Sequence, residues 1–248
     1  MKQDDLIISR AQDLLRMCDQ QYSTTNSGIL DMHQQAIVQR NIRRPAGTEC
    51  LFYGGYEDAE RRIFVCLPDY AELNGDDILA VLRADTSGHA GLTHRDYLGA
   101  LTGLGIRRDL AGDILVRRDG ADIIILKEIA DFLLLNYTQA GRAALKTQIL
   151  PLSQLIVPEA SVKVIRDTVA SMRLDNIVSA GFGMSRSKAA EAVQRGLVFV
   201  NSVEMDKPDW RIEEKDKVVL RGKGKIVIDE IGGRSKKGRE YVTIKRYI

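Results

Sequence analysis

Arg186, Lys188 and Arg195, set with Ser185 and Ser187 in GMSRSKAAEAVQRGLVFVNS (Gly183–Ser202), are the side chains of this 248-residue chain best placed to do chemistry, and that chemistry is ionic. Guanidinium and ammonium groups hold phosphate oxygens, arginine through a planar fork and lysine as a compact charge. Ser185 stands where a hydroxyl accepts from an otherwise unpaired backbone N–H and starts a helix. The outward N–H groups and positive dipole end of such a helix start attract anions in their own right. At about 100° per residue, Ala189, Ala190 and Val193 gather on one side of the helix, and Ser187, Lys188, Glu191, Gln194 and Arg195 on the other. Gly196 supplies a left-handed stop, and Leu197–Val200 continues as a strand to a turn at Asn201-Ser202. The spacing predicts a short helix with a wet cationic face, pinned to a small sheet, that holds a phosphate backbone.

The elements around it are those needed to fix its position. In Arg173–Gly181, Leu174, Ile177 and Val178 share one helical face and Gly181 is a stop signal, so a first short helix precedes the cationic one. The two small alanines let the pair approach closely. The chain then returns through Lys207-Pro208 to a strand at Asp216–Arg221. Lys225–Ile231 and Tyr241–Lys245 alternate like a β pair joined by Gly232–Arg239, a glycine-rich connection whose thin backbone suits phosphate. Arg221, Lys223, Lys225, Arg234, Lys236, Lys237 and Arg239 make this tail basic. From Ser161 to Ile248 there are 19 basic and 12 acidic residues, a net +7, whereas the preceding part carries −5. A basic end on an acidic body predicts a polyanionic partner for that end.

Upstream, Met1 to about Glu72 reads as an amphipathic helix carrying Ile7, Ala11, Leu14, Leu15 and Cys18, a second helix near Met32–Arg43, and a β pair, Glu49–Tyr53 and Arg62–Leu67, around Gly54-Gly55. Between Asp77 and Leu150 the order is a strand at Ile78–Arg83, a helix at Thr93–Leu104, a hairpin of Asp113–Arg118 with Ala121–Lys127 about Asp119-Gly120, a helix at Glu128–Tyr137 and a strand at Ala144–Leu150. This βαββαβ order is ferredoxin-like, an arrangement shared by many RNA-binding modules. Sheets of that kind stack bases on exposed aromatics. Ile78–Arg83 and Ala121–Lys127 contain none, which favours a structural or protein-docking role. Pro151 and Pro158 bracket a short linker, LSQLIV. The fold class expected is α+β: an N-terminal α/β segment (1–72), a central ferredoxin-like domain with linker (73–158) and a basic C-terminal domain with a β-hairpin tail (159–248).

Other classes of function find little support. The first residues lack the uncharged apolar core of a signal peptide, and no segment is apolar for long enough to span a bilayer. Cys18, Cys50 and Cys66 are odd in number and outside any CxxC pattern, so neither a disulfide framework nor a zinc knuckle is expected, and a reducing cytoplasm fits best. His89 and His94 lie in a glycine-containing loop without a ligand constellation, and His33 is distant; no metal site is expected. Gly103-Leu-Gly105 ends a helix instead of joining a strand to one, so it is a poor dinucleotide signature. Glu57, Asp58 and Glu60 beside Arg61 and Arg62 read as a solvated rim.

RLDNIV, GMSRSKAAEAVQRGLVFVNS, KP and KDKVVLRGKGK, over roughly Met172–Lys225, closely resemble the RNA-binding domain named after ribosomal protein S-four of the small subunit. That resemblance puts Arg173, Ser185, Arg186, Ser187, Lys188 and Arg195 on an RNA-contacting helical face, with Asn201 and Lys207 near its edge. RAQDLLRMC, FYGGYEDAERRIFVCLPDY, THRDYLGALTGLGIRRDLAGDILV and GRSKKGREYVTIKRY extend the resemblance to the YlmH-like family of S-four-domain proteins along nearly the whole chain. It departs from that pattern at Asn26–Asp31, where a threonine-aspartate-phenylalanine-leucine stretch is usual. The resemblance implies a non-catalytic protein without cofactor, which binds rRNA of the large ribosomal subunit and peptidyl-tRNA in ribosome-associated quality control, with neither membrane nor DNA as partner. An RNA-modifying enzyme or its specificity subunit is the alternative, because Met172-Arg-Leu-Asp175 is similar to the catalytic arginine-leucine-aspartate of pseudouridine synthases. Against it, Asp175 lies inside the binding module, Met172 replaces the usual glycine and no catalytic domain follows. A third reading makes the acidic N-terminal part a protein-interaction module tethered to RNA.

Overall fold

The computed structural model describes residues 2–86, 91–158 and 162–247, so His89 lies outside the described residues. It divides into two compact units, Met1–Pro158 and Glu159–Ile248.

In the first unit, α1 (Lys2–Gln21) buries Ala11 and Cys18 against Val38, Phe64 and Cys66, with Ile7 and Leu15 packed beside them. The segment Thr25–Leu30 forms a strand, β1, that the sequence pattern does not announce: TNSGIL has no apolar alternation and is rich in turn formers. Its place comes from pairing. After β1, Asp31 starts α2 (Met32–Asn41) with a reciprocal cap, its carboxylate accepting from the Gln34 N–H while the Gln34 side chain accepts from the Asp31 N–H. Next, β2 (Thr48–Tyr53) and β3 (Arg62–Pro68) complete an antiparallel sheet in the order β1-β3-β2. Cysteines far apart in sequence meet here: Cys50 and Cys66 are cross-strand partners with sulfurs 3.7 Å apart, both free, and Cys18 joins the same core.

The second half of the unit runs β4 (Leu79–Thr86), α3 (His94–Gly103), β5 (Ala111–Arg117), β6 (Gly120–Leu126), α4 (Ala130–Asn136), a two-residue strand β7 (Gln139–Ala140) and β8 (Ala143–Leu150). The strand order β5-β6-β4-β8-β7, antiparallel throughout, is the ferredoxin-like order with β7 added at one edge. Alternation along β4 and β6 sends Leu82, Ala84, Ile123 and Ile125 towards α3 and α4, where Tyr97, Leu101, Leu133 and Tyr137 cover them. The alternate residues Leu79, Ile124 and Leu126 pack against Ile29, Ile63, Val65 and Leu67 of the three-stranded sheet. The face on which an RNA-binding sheet would stack bases is therefore filled by protein. Residues 1–72 and 73–158 share this core and form one compact unit.

Polar contacts fix the two sheets in register. Asp113 accepts from the Tyr56 hydroxyl (2.9 Å) and from the N–H groups of Glu60 and Arg61. The Arg61 guanidinium donates to the carbonyls of Arg108, Ala111 and Ile29. This corrects the expectation of a solvated charged rim at Arg61, whose side chain is half-buried and closes the joint by bonding backbone carbonyls of three separate segments.

Asp122 is fully buried on the covered face of the middle sheet, gripped by Arg83 through two bonds of 2.9 and 2.7 Å, with Arg117 3.2 Å away. The Ile156 N–H also donates to Asp122, and Arg83 reaches the Gln154 carbonyl. Residues 152–156 of the expected linker are thus docked on the first unit, with Leu152 and Leu155 packed into its core. Burial pushes the Asp122 carboxyl up, but the Arg83 bonds, the Ile156 N–H and the nearby Arg117 outweigh it and hold the carboxyl below its ordinary range. Asp122→Asn is expected to cost roughly 3 kcal/mol, because Arg83 loses its buried anion while Arg117 keeps Asp85 and Asp119. Faster amide exchange in β4 and β6 would register this, and unchanged protection would contradict it.

The second unit begins with another strand absent from the sequence reading, β9 (Val162–Val169). It continues α5 (Leu174–Phe182), α6 (Arg186–Gln194), β10 (Val198–Val200), β11 (Val203–Met205), β12 (Lys217–Leu220), β13 (Gly224–Arg234) and β14 (Glu240–Tyr247). The antiparallel sheet has the order β11-β10-β12-β13-β14-β9, so the long tail hairpin bridges the short strands to β9. Leu174, Ile177, Val178, Ala189 and Val193 of the helices bury against Val198, Val218, Leu220, Ile226, Ile228, Val242 and Ile244 of the sheet.

Candidate nucleic-acid interface

The helix pair takes its geometry from local backbone bonding. The first N–H groups of α5, on Leu174 and Asp175, donate to the carbonyls of Trp210 and Pro208 at 2.8 and 3.0 Å, so the Lys207–Arg211 loop caps the helix. The helix does not stop at Gly181 as its sequence suggests. A Cβ there would stand 2.5 Å from the Ile226 side chain, so the bare backbone of Gly181 is what lets the helix pack on the sheet at this position. Gly183 (φ 65°) makes the left-handed stop two residues later. Ser185 is the N-cap of α6 and accepts from the Lys188 N–H at 3.4 Å. Ala189 and Val193 are buried completely and Ala190 is half-buried. Arg186, Ser187, Lys188, Glu191, Gln194 and Arg195 are exposed, the sidedness that the helical spacing predicts.

The electrostatic centre is Asp175, whose side chain is 4% exposed. Its carboxylate receives Arg173 Nε at 3.1 Å and Nη2 at 3.2 Å through one fork, and Arg186 Nε at 3.1 Å from the next helix. The Asn176 N–H adds a further bond at 2.9 Å. Burial pushes this carboxyl up, but hydrogen bonds from Arg173 and Arg186 and their charges outweigh it and hold it below the ordinary carboxylate range. Conversely, the bond to Asp175 raises the Arg173 guanidinium against desolvation, and the charges of Asp175 and Asp209 add to the rise. The two arginine side chains remain 40% and 55% exposed, so one buried anion orients two outward-facing cations.

The remaining sequence-predicted residues fall into distinct places. Arg195 ends α6 beside Glu191 (3.5 Å), and the backbone of Arg221 joins that end through a bond from its N–H to the Leu197 carbonyl. Exposed Lys223 follows in the β12–β13 turn. Lys225 sits on β13 with its ammonium 4.3 Å from the centre of the Tyr247 ring. Asn201 (φ 50°) holds the β10–β11 turn, donating to Asp216 at 2.7 Å and accepting from the Lys217 N–H. Lys207 is exposed on the loop that caps α5. Arg234 lies 3.6 Å from Glu240 at the hairpin end, and Lys236 and Lys237 are exposed in its turn. Arg239 reaches across to Thr168 of β9, bonding its hydroxyl and its carbonyl. Arg186 and Arg239, more than fifty positions apart in sequence, line one polar cleft of about 470 Å³ with Asn176, Ser179 and Thr168.

Comparison with known proteins gives this geometry a family. Residues 172–218 match the S4 domain, and residues 85–154 match the domain described as "Putative RNA-binding domain in YlmH". The chain is 32% identical to the ribosome-associated protein quality control protein P2 of Bacillus subtilis, over 99% of its own length and 96% of that protein. It belongs to the YlmH-like family of S4-domain proteins. Over 72 residues, 29% of the chain, it is also 38% identical to the small ribosomal subunit protein uS4 of Frankia alni, covering 34% of that protein. A solved structure, the cell division protein ylmH from Streptococcus pneumoniae, shares the fold with a TM-score of 0.53 at 19% identity, covering 63% of this chain and 96% of that one.

In this YlmH-like chain, Asp175 and β9 are what sequence reasoning missed. The Arg-Leu-Asp spacing is similar to a catalytic signature, whereas the structure makes Asp175 the buried counter-ion of the helix pair. A carboxylate at the second position of an apolar helix start, with an arginine on each side in sequence, was the available signal. No helix among the described residues is long and apolar enough to cross a membrane, and none of their His, Cys, Asp and Glu side chains group as a metal site.

Because the folded Asp175 carboxyl lies below its unfolded value, its stabilisation is present above that unfolded value and disappears as pH falls through the folded one. Asp175→Asn is expected to destabilise the second unit by roughly 1–3 kcal/mol, a charge-assisted bond's worth with half-exposed partners. It should also remove part of the stability lost below about pH 4. Denaturant unfolding between pH 7 and pH 3 measures both effects; an unaltered pH profile in the variant would refute the assignment.

Proposed function

We propose that this protein is a non-catalytic RNA-binding adaptor that grips folded rRNA of the large ribosomal subunit, together with adjacent tRNA, in ribosome-associated quality control. The observation that carries this reading is the exposed cationic start of α6, where Arg173 and Arg186 are aimed outward by buried Asp175 and exposed Lys188 follows two residues after Arg186. A whole-length relative named for ribosome-associated quality control supports the cellular role and a cytoplasmic setting. Arg186, Lys188 and Arg195 neutralise phosphates, Ser185 and Ser187 orient the backbone, and the Arg239 side of the hairpin widens the footprint through the shared cleft. Asn201 serves by holding its turn. The first unit contributes positioning or partner contacts, consistent with the filled face of its middle sheet.

The near-complete burial of Asp175 and its engagement by two arginines count against the pseudouridine-synthase reading, since a nucleophilic carboxylate must reach its substrate.

With about six phosphates engaged, log affinity for rRNA falls with log salt at a slope near −4 to −5. Replacing Arg186 and Lys188 together by alanine is expected to weaken binding and flatten that slope by roughly one to two. Titration of labelled rRNA fragments at several salt concentrations provides the measurement. A folded double variant with the original affinity and slope would remove the basis for this contact map.

A further inference from the structure

The outer face of the second unit's sheet carries a feature that the helix pair does not use. Between β13 and β14 the pairing runs Ile231 with Val242 and then Arg234 with Glu240, so Gly232 and Gly233 together stand opposite Tyr241. This is a bulge in which two bare residues face one aromatic, and Tyr241 is 52% exposed. Across the neighbouring pair of strands, Tyr241 stands opposite Thr168, and Thr243 opposite Arg166. Arg166, Thr168, Glu230 and the two glycines join Tyr241 in lining an open concavity of about 630 Å³. A Cβ on Gly232 would come within 3.0 Å of the Tyr241 Cβ, whereas one on Gly233 would meet nothing within 4 Å and would project into open space. Glycine inside a strand marks places where another group approaches the backbone closely.

We propose that this shelf seats one unpaired nucleobase of RNA, stacked on the Tyr241 ring over the Gly232-Gly233 backbone. Every base offers a π-face to an aromatic, and single-stranded segments are recognised by such platforms beside cations. Arg166 supplies a cation in the concavity, Asp167 and Glu230 acceptors for base N–H groups, and the positive charge complementary to phosphate belongs to the unit as a whole. The middle sheet, whose fold is the usual home of base stacking, has its face filled; the aromatic shelf lies instead on the sheet that extends the S4 domain. The inference rests on the reading that the second unit binds RNA, and it adds unpaired bases to a grip otherwise made on phosphates.

The test uses the full chain and two RNA probes, a hairpin carrying 2-aminopurine in an unpaired loop and a fully paired duplex of the same length. Tyr241→Ala is expected to weaken hairpin binding about 5- to 100-fold, the value of one lost base–aromatic stack, and to abolish the fluorescence quenching of 2-aminopurine. Tyr241→Phe should preserve both. Gly233→Val, which places a branched side chain on the bulge where a Cβ meets nothing within 4 Å, should act like Tyr241→Ala. None of these changes should alter the salt slope or duplex binding, since no phosphate contact is lost. If Tyr241→Ala and Gly233→Val bind the hairpin like the unmodified protein while the Arg186/Lys188 double variant still weakens it, the shelf is refuted and the helix interface stands. Should the double variant also bind normally, both fall. Loss of ribosome co-sedimentation in Tyr241→Ala with unchanged RNA affinity would show a protein-docking face and overturn the proposal.

Discussion

The second unit is organised by a single buried anion with two arginines, one on each helix. Asp175 lies in the first turn of α5, and its carboxylate ties the side chain of that helix's N-cap residue, Arg173, to the first residue of α6. Burying a carboxylate is costly, and it is tolerated here because charge-assisted bonds occupy its oxygens. Those bonds fix the angle between two short helices whose lengths alone give little independent stability. The arginines keep roughly half their surface in solvent. A group that is internally neutralised in part still presents net positive charge outward, and its orientation is set before any ligand arrives, which lowers the ordering cost of binding.

The same principle of anchoring operates in the first unit with the opposite result. There Asp122 lies beside Arg83 and Arg117 under the docked segment 152–156, and both cations point into the protein. Arginine side chains at 17% and 10% exposure hold structure together; those at 40% and 55% are available to a partner. Charge counts along the chain do not distinguish these cases. Burial and partner geometry do.

Much of the architecture was legible in residue patterns. The βαββαβ order, the Asp119-Gly120 hairpin, the Ser185 cap and the buried Ala189/Val193 side of α6 all follow from local spacing, because those elements satisfy their own period and termini. What escaped has a common cause in distant partners. β1 is polar and glycine-containing, and takes its conformation from β3. β9 has the alternation of a strand only on inspection beside β14, with which it pairs over its whole length. Gly181 looks like a stop, but the side chain of Ile226, 45 positions later, explains its size. The placing of Arg186 and Arg239 along one cleft, and the contact of Cys50 with Cys66, are likewise invisible until the strands pair.

The division of α6 into a buried seam and an exposed edge has an evolutionary corollary. Ala189 and Val193 bind the helix to its scaffold, whereas Ser187, Lys188 and Gln194 touch little of it. In the proposed function, substitutions along that outer row alter what the protein holds and leave the buried seam of the helix untouched. Under that proposal, target preference can drift along this row while the same small core persists, since the two sets of side chains answer to different constraints.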